Sequence, residues 1–165
     1  MGHDRFGRVY LQERISAEFV LARHLGLVVE QADDAGIVLC APLVPNANHQ
    51  GTAFGGSLFS VAVLTGWAWV TRYLDGAHVA ADAVIQESTI RYLTPVHGPL
   101  RASLTPPGAA HIEKFRKMLQ RAGRGRIELD VRIQQGATLA TAFQGIFAAA
   151  LREPRALRET LGDPP

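Results

Sequence analysis

The feature that most constrains this chain is a long run, from Ala35 to Thr71, that contains no Asp, Glu, Lys or Arg. Its second part, "GSLFSVAVLTGWAWVTRYLDG" over residues 56–76, is apolar on every side until Arg72. A helix without a polar face must be wrapped by other structure. Prolines and a polar cluster interrupt the first part of the run, so we expect one buried core helix and no membrane span.

Strands follow this helix. Over 126–133, apolar residues alternate strictly with charged ones, which is typical of a sheet with one solvated face. Strands after one apolar helix predict an α+β fold, with an antiparallel sheet wrapped around that long buried helix. The other predicted elements are a helix over 11–26, hairpin strands over 27–31 and 37–43, strands within 78–96, 98–108 and 137–151 with a bulge at Gly145, and a short helix within 110–126.

Length and composition narrow the class further. The 165 residues predict a single domain over 1–152 with an N-terminal helix, followed by a proline-containing C-terminal tail over 153–165. A net charge of +2 is too weak to indicate nucleic acid as a partner. One cysteine and the lack of an apolar leader predict a cytoplasmic protein with no membrane partner. The six histidines are scattered without ligand spacing, so no metal site is expected, and no cofactor.

Three segments carry a resemblance to a known family. The stretch "PNANHQGTAFGGSLFSVAVLTGWAWV" closely resembles the start of the central helix in the thioesterase-like family of the YiiD C-terminal domain type. "IRYLTPVHGPLRASL" and "GATLATAFQGIFAAA" resemble later strands of the same fold, so the likeness spans roughly residues 10–150. It implies a hotdog fold and a homodimer or dimer of dimers with active sites at the interface. It also implies substrates that are acyl groups on coenzyme A or acyl carrier protein.

The resemblance places the thioester at the start of the central helix. Gly55 and Gly56 let a ligand approach the backbone, and free amides at a helix start favour developing negative charge, as an oxyanion hole requires. Asn46, Asn48 and His49 complete the predicted catalytic set, with His49 as a candidate base. Each also has a plain structural interpretation, because asparagines often form turns and histidines often pack without reacting.

A second set of residues is predicted to bind substrate. Malonyl or short-chain substrates fit a small polar pocket, whereas Phe54, Phe59 and two tryptophans are equally candidates to shape a longer acyl tunnel. Trp67 and Trp69 fit core or dimer contacts better. Ser57 suits a helix cap more than a nucleophile, since no nucleophile elbow surrounds it. A basic stretch around the short helix is either a solvated face or a landing site for the phosphates of coenzyme A or an acidic carrier protein. The binding residues proposed within it are Arg116, Lys117 and Arg124.

The motif departs from the family in one important respect. The best-known hotdog thioesterases read His-Gly-Gly, with an Asp or Glu two turns into the helix, whereas this chain has Phe54 and, at about the acid's position, Val63. Three functions therefore stay open. The first is hydrolysis of the thioester, and the second is decarboxylation of a malonyl thioester, which needs an oxyanion hole but no base. Some relatives resemble malonyl-carrier-protein decarboxylases. The third is a non-catalytic acyl-carrier binding module.

Overall fold

A computed structural model describes residues 5–152. The predicted C-terminal tail, residues 153–165, lies outside the described residues. Four α-helices and six strands lie along the described chain, and the strands come in pairs after α2, α3 and α4. The helices are α1 (Arg8–Glu18), α2 (Val20–Leu25), α3 (Gly55–Gly76) and α4 (Ala109–Ala122). The strands are β1 (Val28–Asp33), β2 (Gly36–Ala41), β3 (Ala81–Tyr92), β4 (Leu100–Leu104), β5 (Arg124–Gln135) and β6 (Thr138–Leu151).

All six strands form one antiparallel sheet in the order β1-β2-β4-β5-β6-β3. The sheet curls around α3, which packs against β2, β3, β4, β5 and β6. From Val61 to Thr71 every residue of α3 except Val63 is buried, because the helix is surrounded as its all-round apolar sequence predicted. The α+β fold with a sheet wrapped around one long buried helix is therefore confirmed.

The first predicted helix is two helices. The chain breaks at Phe19, whose φ of −122° and ψ of 103° are extended, and the Phe19 ring packs edge-on against Trp67 at 4.8 Å between centroids. Docking this ring on the core helix takes the backbone out of the helical region. The predicted stop at Gly26 is confirmed, since Gly26 adopts the left-handed conformation (φ 68°) that closes α2.

The bulge predicted at Gly145 is wrong. Gly145 pairs in regular register with Ser88 on one side and Leu129 on the other, while the irregularity in β3 falls between Ile85 and Glu87. A side chain at Gly145 would begin only 2.8 Å from the ring of Phe143. The glycine is thus explained by close aromatic packing on the inner face of the sheet and not by a kink.

The two edges of the sheet differ. At the β1 edge, the Val29 amide donates to Oε1 of Gln12 at 2.8 Å, and Nε2 of Gln12 donates to the carbonyl of Leu27 at 3.2 Å. Helix α1 therefore covers that edge. The β3 edge pairs only with β6 within residues 5–152, and Val84 on it is 60% exposed. A long open strand with exposed apolar side chains is a pairing surface.

Candidate active site

The loop that leads into α3 is held by Asn46. This side chain is 2% exposed, and its Nδ2 donates to the carbonyls of Leu25 at 2.9 Å and Pro42 at 2.7 Å. Its own backbone carbonyl accepts from the amide of Phe54 at 2.7 Å. The Oδ1 is buried and accepts no hydrogen bond within residues 5–152. Asn46 therefore ties the start of α3 to the ends of α2 and β2, and its amide nitrogen is fully engaged.

Asn48 shapes the tip of the same loop. Its Oδ1 accepts from the amides of Gln50 at 2.9 Å and Thr52 at 3.2 Å, and its Nδ2 donates to Oγ1 of Thr52 at 2.9 Å. These bonds are those of an asparagine-centred turn. His49 follows at the exposed tip, and no hydrogen bond or ion pair joins its side chain to any residue in the described part of the chain.

No side chain within residues 5–152 caps the start of helix α3. Phe54 is the capping residue, and the first helical hydrogen bond runs from the Leu58 amide to the Phe54 carbonyl at 3.0 Å. The amides of Gly55, Gly56 and Ser57 precede that bond and have no acceptor within the helix. The predicted cap at Ser57 is wrong, because the helix starts two residues earlier and Ser57 lies buried in its first turn.

Tyr92 lies over this helix start and was missed in the sequence. Its hydroxyl donates to the carbonyl of Gly55 at 3.0 Å, and its ring is 3.4 Å from where a Cβ on Gly55 would stand. The signal available was its place at the end of a predicted strand, directly before Leu93-Thr94-Pro95. A cleft of about 280 Å³ separates this segment from α3. Its lining residues are Thr52, Ala53, Gly55, Leu58, Tyr92, Leu93, Thr94, Pro95 and Val96.

The cleft carries no Asp, Glu, His, Lys or Arg among the described residues that line it. Phe54, which lies in the chain between the lining residues Ala53 and Gly55, is 56% exposed, and its ring occupies the space that a side chain on Gly56 would fill. Val63, at the position where an acid was sought, is half-buried on α3. The polar groups that the described lining offers a ligand are therefore uncharged, and they include the amide of Gly55, the phenol of Tyr92 and the hydroxyls of Thr52 and Thr94.

The predicted basic residues lie at the other end of α3. Phe115 of α4 packs against Tyr73 at 5.8 Å between ring centroids, and Tyr73 stands about 27 Å along the helix from Gly55. Arg116 is engaged in a two-bond pair with Glu113, at 2.8 and 2.7 Å, which lowers the pKa of that carboxyl to about 2. Within one chain, Arg116, Lys117 and Arg124 are not part of the cleft at the helix start.

No helix within residues 5–152 is long and apolar enough to cross a membrane. No group of three or more His, Cys, Asp or Glu side chains is placed to hold a metal ion in the same part of the chain.

Solved structures identify the class of fold. A protein of unknown function from Chlorobaculum tepidum is 28% identical, with a TM-score of 0.83 over 88% of this chain and 94% of its own. A "putative thioesterase" from Shewanella oneidensis is 24% identical, with a TM-score of 0.79 over 91% and 100%. The Escherichia coli PaaI protein from the phenylacetic acid degradation operon is 16% identical, with a TM-score of 0.60 over 88% and 94%. This chain has the hotdog fold.

The family follows from the sequence match. A family model described as "Putative thioesterase (yiiD_Cterm)" matches residues 8–151, and the chain belongs to that family. The resemblance noted in the sequence is therefore confirmed, and a thioesterase-like function is supported at the level of the family.

Proposed function

We propose that this protein hydrolyses acyl thioesters carried on coenzyme A or acyl carrier protein. The observation that carries the proposal is the uncapped start of α3, where Gly55 and Gly56 present amides beside an uncharged cleft. Preorganised amides at a helix start stabilise the oxyanion that forms when a nucleophile adds to a thioester carbonyl. In hydrolysis, water adds to that carbon, the carbon–sulfur bond breaks, and the products are the free acid and the carrier thiol.

The two asparagines support this site indirectly. The side-chain amides of Asn46 and Asn48 hydrogen-bond to the loop and its neighbours. We therefore assign both residues to positioning the helix start and not to contact with water. His49 stays the candidate general base because it is the one imidazole in the loop and its ring nitrogens are uncommitted within residues 5–152. Phe54 and Ser57, on either side of the glycine pair, are proposed to contact the acyl group.

The functional unit is proposed to be a homodimer joined through β3. Edge strands with unpaired backbone groups attract a second strand, and the β1 edge is already covered by Gln12 of α1. Pairing two copies of β3 about a two-fold axis buries Val84 and brings a second copy close to the cleft, which ends at Tyr92 and Leu93. Association of two such dimers gives the tetrameric alternative.

Decarboxylation of a malonyl thioester is the second candidate. The lack of any carboxylate or imidazole in the lining of the described cleft favours it, because loss of carbon dioxide needs an oxyanion hole for the enolate but no base. A carboxylate in this position would repel the malonyl group.

Mass spectrometry of products after incubation with malonyl and medium-chain acyl groups on both carriers tests these assignments. Free acid with free thiol supports hydrolysis, and loss of turnover in His49→Ala then supports His49 as the base. Acetyl thioester from the malonyl substrate supports decarboxylation. Unchanged substrates on both carriers contradict both reactions and leave a binding module.

A further inference from the structure

A groove on α4 combines apolar and basic character. We call it the α4 groove; it measures about 610 Å³. Ala110, Lys114, Met118 and Ala122 follow one another at intervals of four, so they form a stripe that runs about 18 Å along the helix and is apolar except for Lys114. The groove is lined by Ala110, Glu113, Lys114, Lys117, Met118, Arg121, Ala122 and Arg124.

The cations of the α4 groove are largely uncommitted. Lys117 is 3.5 Å from Glu113, which is mainly engaged by Arg116. Lys114, Arg121 and Arg124 are exposed and make no ion pair with any residue from 5 to 152. A mostly apolar stripe with unpaired cations in and beside it is complementary to an amphipathic helix whose polar face is acidic.

The groove lies at the end of β3 that is far from the cleft. Arg124 pairs with Ala150 in β6, and the next residue, Leu151, pairs with Ala81 at the start of β3. Tyr92, beside the cleft, is at the other end of the same strand. Within one chain, the α4 groove and the start of α3 are therefore at opposite ends of the molecule.

In a dimer paired through β3, the α4 groove of one copy comes close to the α3 start of the other. A two-fold axis through the middle of β3 makes the two β3 strands antiparallel and fully overlapped, so that the Ala81 end of one copy lies beside the Tyr92 end of the other. From Tyr92 of one copy, the next strands across the joined sheet are β3, β6 and β5 of the second copy, and Arg124 lies at the start of that β5. Three spacings between neighbouring strands separate Tyr92 from Arg124, which is about 14 Å. The pantetheine arm between a carrier's phosphate and its thioester has about 13 bonds and spans about 15 Å when extended.

We propose that an acidic helix of an acyl carrier protein docks in the α4 groove of one copy and delivers its thioester to the helix start of the other copy. This inference rests on the proposed function and on the β3 dimer. The length of the stripe favours a protein helix over the phosphates of coenzyme A, because a cluster of phosphates needs only the cations and leaves the apolar stripe unused.

Charge reversal tests the docking. The test variant is Arg121→Glu in the groove, and the control is Arg132→Glu, which changes an exposed arginine on the outer face of β5. The substrates are octanoyl thioesters of carrier protein, coenzyme A and pantetheine. Arg121→Glu is expected to raise KM for the carrier-protein substrate about five- to tenfold at unchanged kcat. The other two substrates and the Arg132→Glu variant should change less than about twofold. An equal rise for coenzyme A means that the groove binds phosphates, and no rise for carrier protein removes the docking site; either result overturns the proposal.

A binding measurement keeps this test independent of turnover. Titration of fluorescent holo carrier protein into wild-type protein and Arg121→Glu is expected to show the same five- to tenfold loss of affinity. If wild-type protein binds the carrier through the groove but converts no thioester, the proposed reaction fails while the docking stands. If thioesters are converted and affinity is equal in both proteins, the docking fails while the reaction stands.

Mixed dimers test delivery between copies. One copy carries Arg121→Glu and the other carries Gly56→Val, which blocks the helix start. The copy with Arg121→Glu keeps an intact helix start, and the copy with Gly56→Val keeps an intact groove. If a carrier bound in one groove delivers its thioester to the opposite copy, these two intact parts work together, and the mixed dimer shows wild-type KM with about half the wild-type kcat. If the groove serves its own copy, the mixed dimer keeps the raised KM of Arg121→Glu, and delivery between copies is wrong.

Discussion

The two ends of α3 are built for different purposes. At its start, two glycines, an exposed Phe54 and amides without a cap leave the backbone open to a ligand. At its end, Leu74 is 2% exposed, and Asp75 accepts hydrogen bonds from Tyr10 at 2.6 Å and Arg14 at 2.9 Å, both in α1. The comparison indicates that one end of the helix anchors the fold, so that the other can keep unsatisfied groups for binding.

The largest expected effect is at the start of the helix. Gly56→Val places a branched side chain where the Phe54 ring now lies and shields the amides proposed to hold the oxyanion. Loss of one such donor lowers kcat about 10²- to 10³-fold. Gly76→Val is the matched control at the other end of α3, since a side chain there meets nothing within 4 Å. Steady-state kinetics on both variants, with circular dichroism to verify folding, separates the two ends; equal kcat in both variants contradicts the assigned site.

A stability effect of comparable size is expected at the end of the helix. Leu74→Ala removes a buried side chain from the core and lowers the free energy of unfolding by about 2–5 kcal/mol. Because Leu74 is far from the cleft, kcat of the folded protein should change less than about twofold. Urea denaturation followed by kinetics at a permissive temperature checks this, and a large fall in kcat without loss of stability would show that the two ends are coupled.

The central helix and the alternating strand were readable in the sequence, but the division between the two ends of the helix was not. The charge-free run predicted α3 as a helix buried on all sides, and strict alternation predicted β5 as a strand with one buried face. Both predictions use only neighbouring residues. The break at Phe19 and the anchoring of Asn46 were not predictable in this way. Phe19 leaves the helix to reach Trp67, and Asn46 reaches the carbonyl of Leu25, 21 residues earlier. Contacts between distant residues override local propensity.

The site was predicted only in part for the same reason. Gly55 and Gly56 were found because adjacent glycines before an apolar helix are a local pattern. Tyr92 was missed because its contact with Gly55 spans 37 residues. The basic residues were grouped with the site on chemistry alone. Their place at the opposite end of α3 follows from the packing of Phe115 on Tyr73 and from the strand register of Arg124, which are contacts between distant residues.

A smaller effect is expected from Tyr92→Phe. The lost hydroxyl donates to the Gly55 carbonyl, which belongs to the same peptide as the Gly56 amide, so the bond fixes that peptide and polarises its N–H. One hydrogen bond of this kind corresponds to about a 3- to 10-fold fall in kcat with little change in KM.

The control for this change is Tyr73→Phe, near the other end of α3, where the ring stacks on Trp69. Nuclear magnetic resonance gives a second readout, because the ¹⁵N shift of the Gly56 amide responds to hydrogen bonding at the preceding carbonyl. A fall in kcat without movement of that resonance would assign Tyr92 to direct contact with substrate instead of to positioning.

The smallest effect is a pH-dependent one at the anchored end. Burial, and then the hydrogen bond to Asp75, raises the pKa of the Tyr10 phenol above its usual value of 10.0. A group whose pKa is raised by folding contributes stability that is complete below the unfolded value and is lost as pH rises through the folded one. Tyr10→Phe should therefore cost about 1 kcal/mol up to pH ~10, since the pair is partly exposed, and progressively less above it. Urea denaturation of both proteins from pH 7 to 11 measures this difference; a difference that stays constant or grows above pH 10 would mean that the phenol does not anchor α1 to Asp75 in its neutral form.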